Sequence, residues 1–146
     1  MEPPHAPPDR RLFVYGTLLQ GERDHALLGA SPRLGAASTE PAFELVDLGA
    51  YAALVHGGST SVRGELYLVD AKARAGLDIH RQVPLLFDRV RIRLDDGSEA
   101  HAYVMDESRV RGKRRLHHGD WRKRFAPSVR PIESPLARWA KGRFTR

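Results

Sequence analysis

Residues 12–18 read Leu-Phe-Val-Tyr-Gly-Thr-Leu, an apolar stretch that runs directly into a turn centred on glycine. Apolar and aromatic residues in a short run favour a buried strand. Gly16 ends the strand because glycine has no Cβ and adopts backbone dihedrals that are closed to other residues. We therefore predict a strand that ends in a tight turn. Its backbone N–H groups and the hydroxyls of Tyr15 and Thr17 would serve as donors to an anionic ligand.

Hydrophobic periodicity predicts the other elements along the chain. Strands are predicted at Leu12–Tyr15, Phe43–Asp47, Ala53–His56, Val62–Val69, Phe87–Leu94 and Glu99–Met105, and helices at Glu22–Leu28 and Ala71–His80. The last two strands form a hairpin around residues 95–98. Strands interspersed with two short helices favour a mixed α/β fold, a small β-barrel with flanking short helices. A doubly wound sheet would need longer crossovers.

Several segments follow the turn in a fixed order: Phe43–Val55, Val62–Tyr67, Leu77-Asp78, Val83-Pro84 and Phe87–Ile92. With the turn, they resemble the γ-glutamylcyclotransferase superfamily, including its avirulence-induced-gene-like branch, over roughly residues 11–106. The resemblance implies a small mixed β-barrel with a pocket at the end of the first strand. It also implies that the pocket holds a γ-glutamyl group and releases 5-oxoproline plus an amine, without a cofactor. The residues that match the family's binding turn are Tyr15, Gly16, Thr17 and Leu18.

One position departs from the family's pattern. The family motif runs Leu-Asp, two variable residues, a catalytic glutamate and a glycine, whereas this chain has Arg81 and Gln82 at the last two places. Cyclisation needs a base to take a proton from the substrate's α-ammonium group, and arginine, which stays protonated, only donates. Loss of such a base costs about 10²–10⁴ in rate. Arg81 would then either clamp a carboxylate with two N–H bonds or lie on the surface; the sequence leaves both open.

Three other residues could in principle replace the missing base. Glu65 lies in a predicted strand, where alternation puts it on the same face as Tyr67. Asp78 lies near the end of a predicted helix. Histidine is a common acid–base residue near neutral pH, but His80 would point about 100° away from Arg81. We expect a surface or capping role for all three, with Glu65 the first candidate for a substitute base.

The charge of the chain is unevenly divided. Residues 1–106 carry 11 Lys and Arg against 15 Asp and Glu, whereas residues 107–146 carry 13 against 3. We predict an extended proline-rich lead-in over residues 1–10, a domain over 11–106 and a basic extension over 107–146. Trp121 and Phe125 are four residues apart, which predicts that they dock part of the extension on the domain. Weak nucleic-acid contact through the extension is the alternative, because basic residues alternate there with aromatics.

Composition limits the remaining classes of function. The chain has no cysteine and no apolar run near the ~20 residues that span a bilayer, so we expect a cytoplasmic protein without disulfides or membrane contact. His117 and His118 are adjacent, and adjacent histidines rarely converge on one metal, so no metal site is expected. The partner would be a small acidic metabolite or γ-glutamyl compound. The sequence leaves three hypotheses: an inactive binding relative, an active cyclotransferase with a substitute carboxylate, or a nucleic-acid-associated module.

Overall fold

The strands of the chain form one curled, mixed sheet that makes a half-barrel, as the sequence predicts. The computed structural model describes residues 7, 8 and 10–127. Most of the predicted lead-in, residues 1–6 and 9, and the end of the extension, residues 128–146, lie outside the described residues. Within the described part, one α-helix and four short 3-10 turns connect the strands.

The bounds of the elements are as follows. The strands are β1 Arg11–Val14, β2 Arg33–Ser38, β3 Phe43–Asp47, β4 Ala52–His56, β5 Arg63–Leu68, β6 Asp88–Arg93, β7 Glu99–Val104 and β8 Arg114–Arg115. The α-helix, α1, is Ala71–His80, and the 3-10 turns are Gly16–Leu18, His25–Leu28, Glu107–Arg109 and Trp121–Lys123.

Strand β1 lies in the middle of the sheet, antiparallel to β5 and parallel to β7. The strand order is β2-β5-β1-β7-β4-β3-β8, with β6 paired to β7 as a hairpin. A bridge between Thr39 and Leu94 joins the end of β2 to the end of β6, so the sheet curls towards itself. All four residues of β1 are buried. The turn at the end of the first strand is therefore anchored by a buried strand in the middle of the sheet.

Several predicted elements are confirmed. Helix α1 begins and ends at the predicted residues, and the side chain of Asp70 caps it by accepting the N–H of Ala73 at 2.8 Å. The predicted hairpin also forms, with Arg91 opposite His101 near its middle. In both cases local signals, a cap and a turn, agree with the hydrophobic pattern.

One predicted helix is wrong, and one strand has no signal in the sequence. The helix predicted at Glu22–Leu28 is only a 3-10 turn, because Gly29, with a φ of 58°, follows it and leaves too few residues to nucleate an α-helix. Strand β2 was not predicted at all. It contains Gly35 and two alanines, which have little intrinsic preference for a strand, and its pairing with β5 determines its conformation.

The extension is held by Trp121 and not by Phe125. The indole of Trp121 is 2% exposed and its Nε1 donates to Glu22 at 3.1 Å. Phe125 is 86% exposed, so the prediction that it docks is wrong. The helical spacing of the two aromatics does not apply, because the helix that carries Trp121 is a 3-10 turn that ends at Lys123.

Arginines of the extension face carboxylates of the domain, which explains how segments of opposite charge associate. The pairs are Arg114 with Asp47, Arg115 with Glu44, Arg122 with Glu65 and Arg124 with Glu22. These arginines are therefore engaged within the chain itself. Among the described helices, none is long and apolar enough to cross a membrane.

We expect Trp121→Ala to lower the free energy of unfolding by about 3–5 kcal/mol, because it removes a large buried aromatic side chain. Phe125→Ala is the matched control and should change the free energy by at most ~0.5 kcal/mol, as exposed positions do. Chemical denaturation followed by circular dichroism measures both. Equal stability of the two variants would contradict docking through Trp121.

Candidate functional site

The predicted turn forms directly after β1. It is a 3-10 turn over Gly16–Leu18, in which the N–H of Leu18 donates to the carbonyl of Tyr15 at 3.3 Å. The carbonyl of Thr17 accepts the N–H of Asp24 at 2.8 Å, which ties the following loop back to the turn. The turn is buried at all three of its residues. Its backbone is therefore fixed by the core rather than by the loop alone.

Gly16 is required at this position for two physical reasons. Its φ is +63°, in the left-handed region that glycine adopts without strain. A Cβ on Gly16 would also lie 2.8 Å from the Cβ of Ala52. The turn can pack against β4 only because this side chain is absent.

The hydroxyl of Tyr15 serves the core, not a ligand. It donates to the carbonyl of Tyr103 at 2.6 Å and accepts the N–H of Leu54 at 2.9 Å. Tyr15 is 6% exposed, and burial raises the pKa of its hydroxyl well above the ordinary value. The sequence-based expectation that this hydroxyl would donate to a ligand is wrong, because burial commits its hydrogen to the backbone of β7.

Arg81 turns inward against the turn. Its Nη2 donates to Oγ1 of Thr17 at 3.2 Å, and its side chain is 8% exposed. The guanidinium carbon also lies 5.6 Å from the centre of the Phe87 ring, within the range of a cation–π contact. A buried cation therefore lies against the predicted turn.

The residue after Arg81 has an unusual backbone conformation. Gln82, one residue beyond the C-cap Arg81 of α1, has a φ of +54°. Glycine is the usual residue at a left-handed position that ends a helix. Gln82 adopts this conformation at a cost of about 1–2 kcal/mol.

Asp24 completes the site, and the sequence analysis missed it. Its Oδ2 accepts the hydroxyl hydrogen of Thr17 at 2.6 Å and lies 3.9 Å from Nη1 of Arg81. Burial alone would raise the pKa of Asp24, but the hydrogen bonds from Thr17 and Arg23 and the charge of Arg81 hold it below its ordinary value. The requirement that a buried arginine be paired with an acid is the signal that could have pointed to it.

Glu65 lies near the turn but has other partners. Its Oε1 accepts the N–H of Gln20 at 2.9 Å and the hydroxyl of Tyr67 at 3.0 Å, which confirms that Glu65 and Tyr67 share a face of β5. Burial opposes its ionisation, yet these two donors and nearby Arg122 hold the pKa of Glu65 below its ordinary value. A low pKa makes it a weak base at neutral pH, so its role as a substitute base stays a prediction.

The other two alternative bases serve the scaffold or face solvent. Asp78 accepts Nε of Arg89 at 2.9 Å and the hydroxyl of Tyr103 at 2.7 Å, which fastens α1 to the β6–β7 hairpin. His80 is exposed, as expected if Arg81 points inward. The surface role predicted for His80 agrees with its position, whereas Asp78 is half-buried and joins two elements instead of capping a helix.

The arrangement binds charge more readily than it moves protons. Arg81 supplies donors and a positive charge, whereas Asp24, with its lowered pKa, holds little affinity for a proton at neutral pH. Thr17 stands between them, and its hydroxyl hydrogen is already donated to Asp24. An acidic group can therefore bind Arg81 in this cluster only by displacing the carboxylate of Asp24.

Comparison with known proteins identifies relatives of the chain. The profile of the family described as Gamma-glutamyl cyclotransferase, AIG2-like, matches residues 12–123. A Vibrio cholerae protein named "Putative gamma-glutamylcyclotransferase" is 44% identical over 114 residues, which make up 75% of this chain and 93% of that protein. The matched region extends beyond the predicted domain boundary at residue 106 and includes Trp121.

Solved structures support the same fold. The solution structure of ytfP from Escherichia coli is 33% identical, with a TM-score of 0.60 over 79% of this chain and 98% of that one. An AIG2-like protein from Mus musculus is 21% identical, with a TM-score of 0.61 over 88% of this chain and 92% of that one. The second likeness concerns the fold alone.

We expect Gly16→Ala to destabilise the protein more than Gly21→Ala. Both glycines have a positive φ, which costs about 1–2 kcal/mol for alanine. A Cβ on Gly21 would meet nothing within 4 Å, whereas one on Gly16 would collide with Ala52 and cost a further ~1–3 kcal/mol. Denaturant titration measures the difference.

The double variant Gly16→Ala/Ala52→Gly should recover part of the loss, because it removes the colliding methyl group. A double-mutant cycle isolates this coupling from the separate cost of each substitution. Equal losses for Gly16→Ala and Gly21→Ala, with no coupling to Ala52, would mean that close packing of the turn on β4 is unimportant.

Proposed function

The chain belongs to the gamma-glutamyl cyclotransferase, AIG2-like family, and from this premise we propose that it binds a small acidic or γ-glutamyl group at the turn but forms 5-oxoproline slowly or not at all. The observation that carries the proposal is the position of Arg81. Its guanidinium contacts Thr17 of the turn at 3.2 Å and is almost fully buried. The residue at the base position thus faces the site with the wrong chemistry for a base.

The chemical argument concerns the proton of the substrate. Attack of the α-amine on the γ-carbonyl requires a group that takes the ammonium proton and later returns a proton to the leaving amine. A carboxylate performs both steps, but the guanidinium of Arg81 stays protonated at any biological pH. Its positive charge would also disfavour a substrate ammonium group close by. Arginine at this position removes the proton acceptor that cyclisation needs. Binding of an acid needs no proton acceptor, so it is not lost.

Asp24 determines how strongly an acid would bind. It is the carboxylate already beside Arg81, at 3.9 Å, and this separation is longer than a hydrogen bond. A ligand carboxylate that forms two direct N–H bonds with Arg81 would have a geometric advantage over Asp24. Like charges would nevertheless repel, so Asp24 should weaken the binding that Arg81 provides.

The alternative of a nucleic-acid-associated module gains no specific support. Four arginines of the described extension pair with carboxylates of the domain, as with Arg122 and Glu65 at 3.4 Å. Contact with phosphates would require these pairs to separate. An active cyclotransferase with a substitute carboxylate would have to use Asp24 or Glu65, whose lowered pKa values make both weak bases.

We expect the purified chain to release 5-oxoproline from simple γ-glutamyl amides at far below ~1 s⁻¹, an ordinary enzymatic rate. The double variant Arg81→Glu/Asp24→Asn should form it at least about 100-fold faster than the matched variant Arg81→Gln/Asp24→Asn, because only the first regains a base. Chromatographic quantification of 5-oxoproline at neutral pH measures both. Asp24 is neutralised in both variants so that two carboxylates do not compete for one proton.

Turnover of the unaltered chain at about 1 s⁻¹ or more would overturn the loss of activity. In that case the single variants Asp24→Asn and Glu65→Gln identify the carboxylate that acts, since only substitution of the acting base should abolish turnover. Asp88→Asn, which neutralises an exposed carboxylate of β6, is the control and should leave turnover unchanged.

We expect titration calorimetry to detect binding of glutarate and of γ-glutamyl amides that weakens as salt concentration rises, because charge attraction is screened. Arg81→Gln should abolish this binding. Asp24→Asn should strengthen it by roughly tenfold, because a like charge within a few ångströms of the ligand is removed.

Asp88→Asn is the matched control for Asp24→Asn, because Asp88 is an exposed carboxylate at the start of β6. It should leave the affinity unchanged. Equal affinity for the unaltered chain and Arg81→Gln would show that Arg81 does not contact the acid, and an unchanged affinity in Asp24→Asn would exclude competition by that carboxylate.

A further inference from the structure

A cavity of about 700 Å³ opens on the side of the sheet formed by β2 and β5. Its lining includes Leu19, directly after the turn, and His118 of the extension, but neither Thr17 nor Arg81. The volume lies within the range of small-molecule sites in proteins. The cavity is thus built partly by the extension and differs in its residues from the site described above.

The charged side chains of this cavity are balanced in sign. Three arginines and three carboxylates line it: Arg33, Arg63, Arg122, Glu65, Asp95 and Asp120. A ligand with only negative charge would meet three carboxylates, and one with only positive charge would meet three guanidinium groups. A ligand that carries both signs can place each of its charges beside a side chain of opposite charge.

Glu65 supplies a fixed negative group in this cavity. It is 5% exposed, and its Oε1 is held by Gln20 and Tyr67 at hydrogen-bond distance. Among the described residues, its Oε2 has longer contacts alone, 3.4 Å to Arg122 and 3.8 Å to Arg33. A buried carboxylate oxygen with such weak partners gains from a closer cation, such as a protonated amine.

Arg63 supplies an exposed positive group at this cavity. Its backbone N–H donates to the carbonyl of Gly119 at 2.8 Å, which fixes the base of the side chain against the extension. Gly119 must be glycine there, since a Cβ would lie 2.3 Å from the carbonyl oxygen of Ser61. Within the described chain, the exposed guanidinium of Arg63 has no ion pair or side-chain hydrogen bond. Its planar fork is therefore available for a carboxylate.

We propose that this cavity binds a small zwitterion, a free amino acid or short peptide, with its carboxylate at Arg63 and its protonated amine at Oε2 of Glu65. The ligand carboxylate meets Arg63, whose backbone is fixed by Gly119. The ligand amine meets Glu65, whose other oxygen is held by Gln20 and Tyr67. Arg122 and Arg33 lie 3.4 and 3.8 Å from Oε2 of Glu65, so a ligand amine can approach this oxygen more closely than either guanidinium does. Nη2 of Arg122 is also held by the carbonyl of Gln20 at 2.6 Å. This site does not depend on Arg81 or on 5-oxoproline formation.

The test uses three matched probes: glycylglycine, its N-acetylated form, which lacks the amine, and its C-terminal amide, which lacks the carboxylate. Titration of ¹⁵N-labelled full-length protein should show saturable binding of glycylglycine in about the millimolar range. Amide shifts should centre on Gly64 and Gly119. The two half-charged probes should bind about tenfold or more weakly, because each loses a charge-assisted hydrogen bond.

Arg63→Ala and Glu65→Gln should each weaken glycylglycine by about tenfold or more, while the exposed control Arg91→Ala leaves it unchanged. No saturation at about 20 mM would overturn the proposal. It would equally be overturned by half-charged probes that bind as well as glycylglycine, or by binding that is lost in Arg81→Gln and kept in Arg63→Ala. The last result would assign the ligand to the turn.

Discussion

The hydroxyl of Tyr15 joins three strands at the place where the sheet curls. Strand β7 has only one registered residue pair with β1 and one with β4, so the ladders there are short. The hydroxyl bridges that gap by donating to the carbonyl of Tyr103 and accepting the N–H of Leu54, two backbone groups that would otherwise be costly to bury. The following residue, Gly16, is thereby placed against β4, and the turn, Thr17 and the groups that contact it take their positions from this bridge.

The parts of the fold that the sequence predicts are those in which local and global signals agree. Helix α1 has a capping aspartate before it, and the β6–β7 hairpin has a turn at Gly97, so both follow from neighbouring residues. Strand β2 has no such signal, because Gly35 and its alanines become a strand only through pairing with β5. The short segment His25–Leu28 fails in the opposite way: its apolar spacing suggests a helix that it is too short to form.

The candidate site divides in the same manner. Gly16 and the presence of an arginine at position 81 could be identified from the sequence, because both occur in motifs of fixed spacing. The direction of Arg81 could not, since a long side chain at the end of a helix can lie on the surface or fold inward. The sequence does not predict the role of Asp24, because this residue is far from Arg81 along the chain and belongs to no motif. The tertiary structure brings the two together.

The contacts of Trp121 and Arg122 with residues 20–22 determine when the loop after the turn is covered during synthesis. Trp121 donates to Glu22, 99 residues earlier in the chain. At a synthesis rate of about 5–20 residues per second, the loop after the turn waits roughly 5–20 s for these partners. During that interval the nascent chain contains its first strand but not the residues that cover the loop. The surface of the loop is therefore accessible to the ribosome and to any bound chaperone until those residues are synthesised.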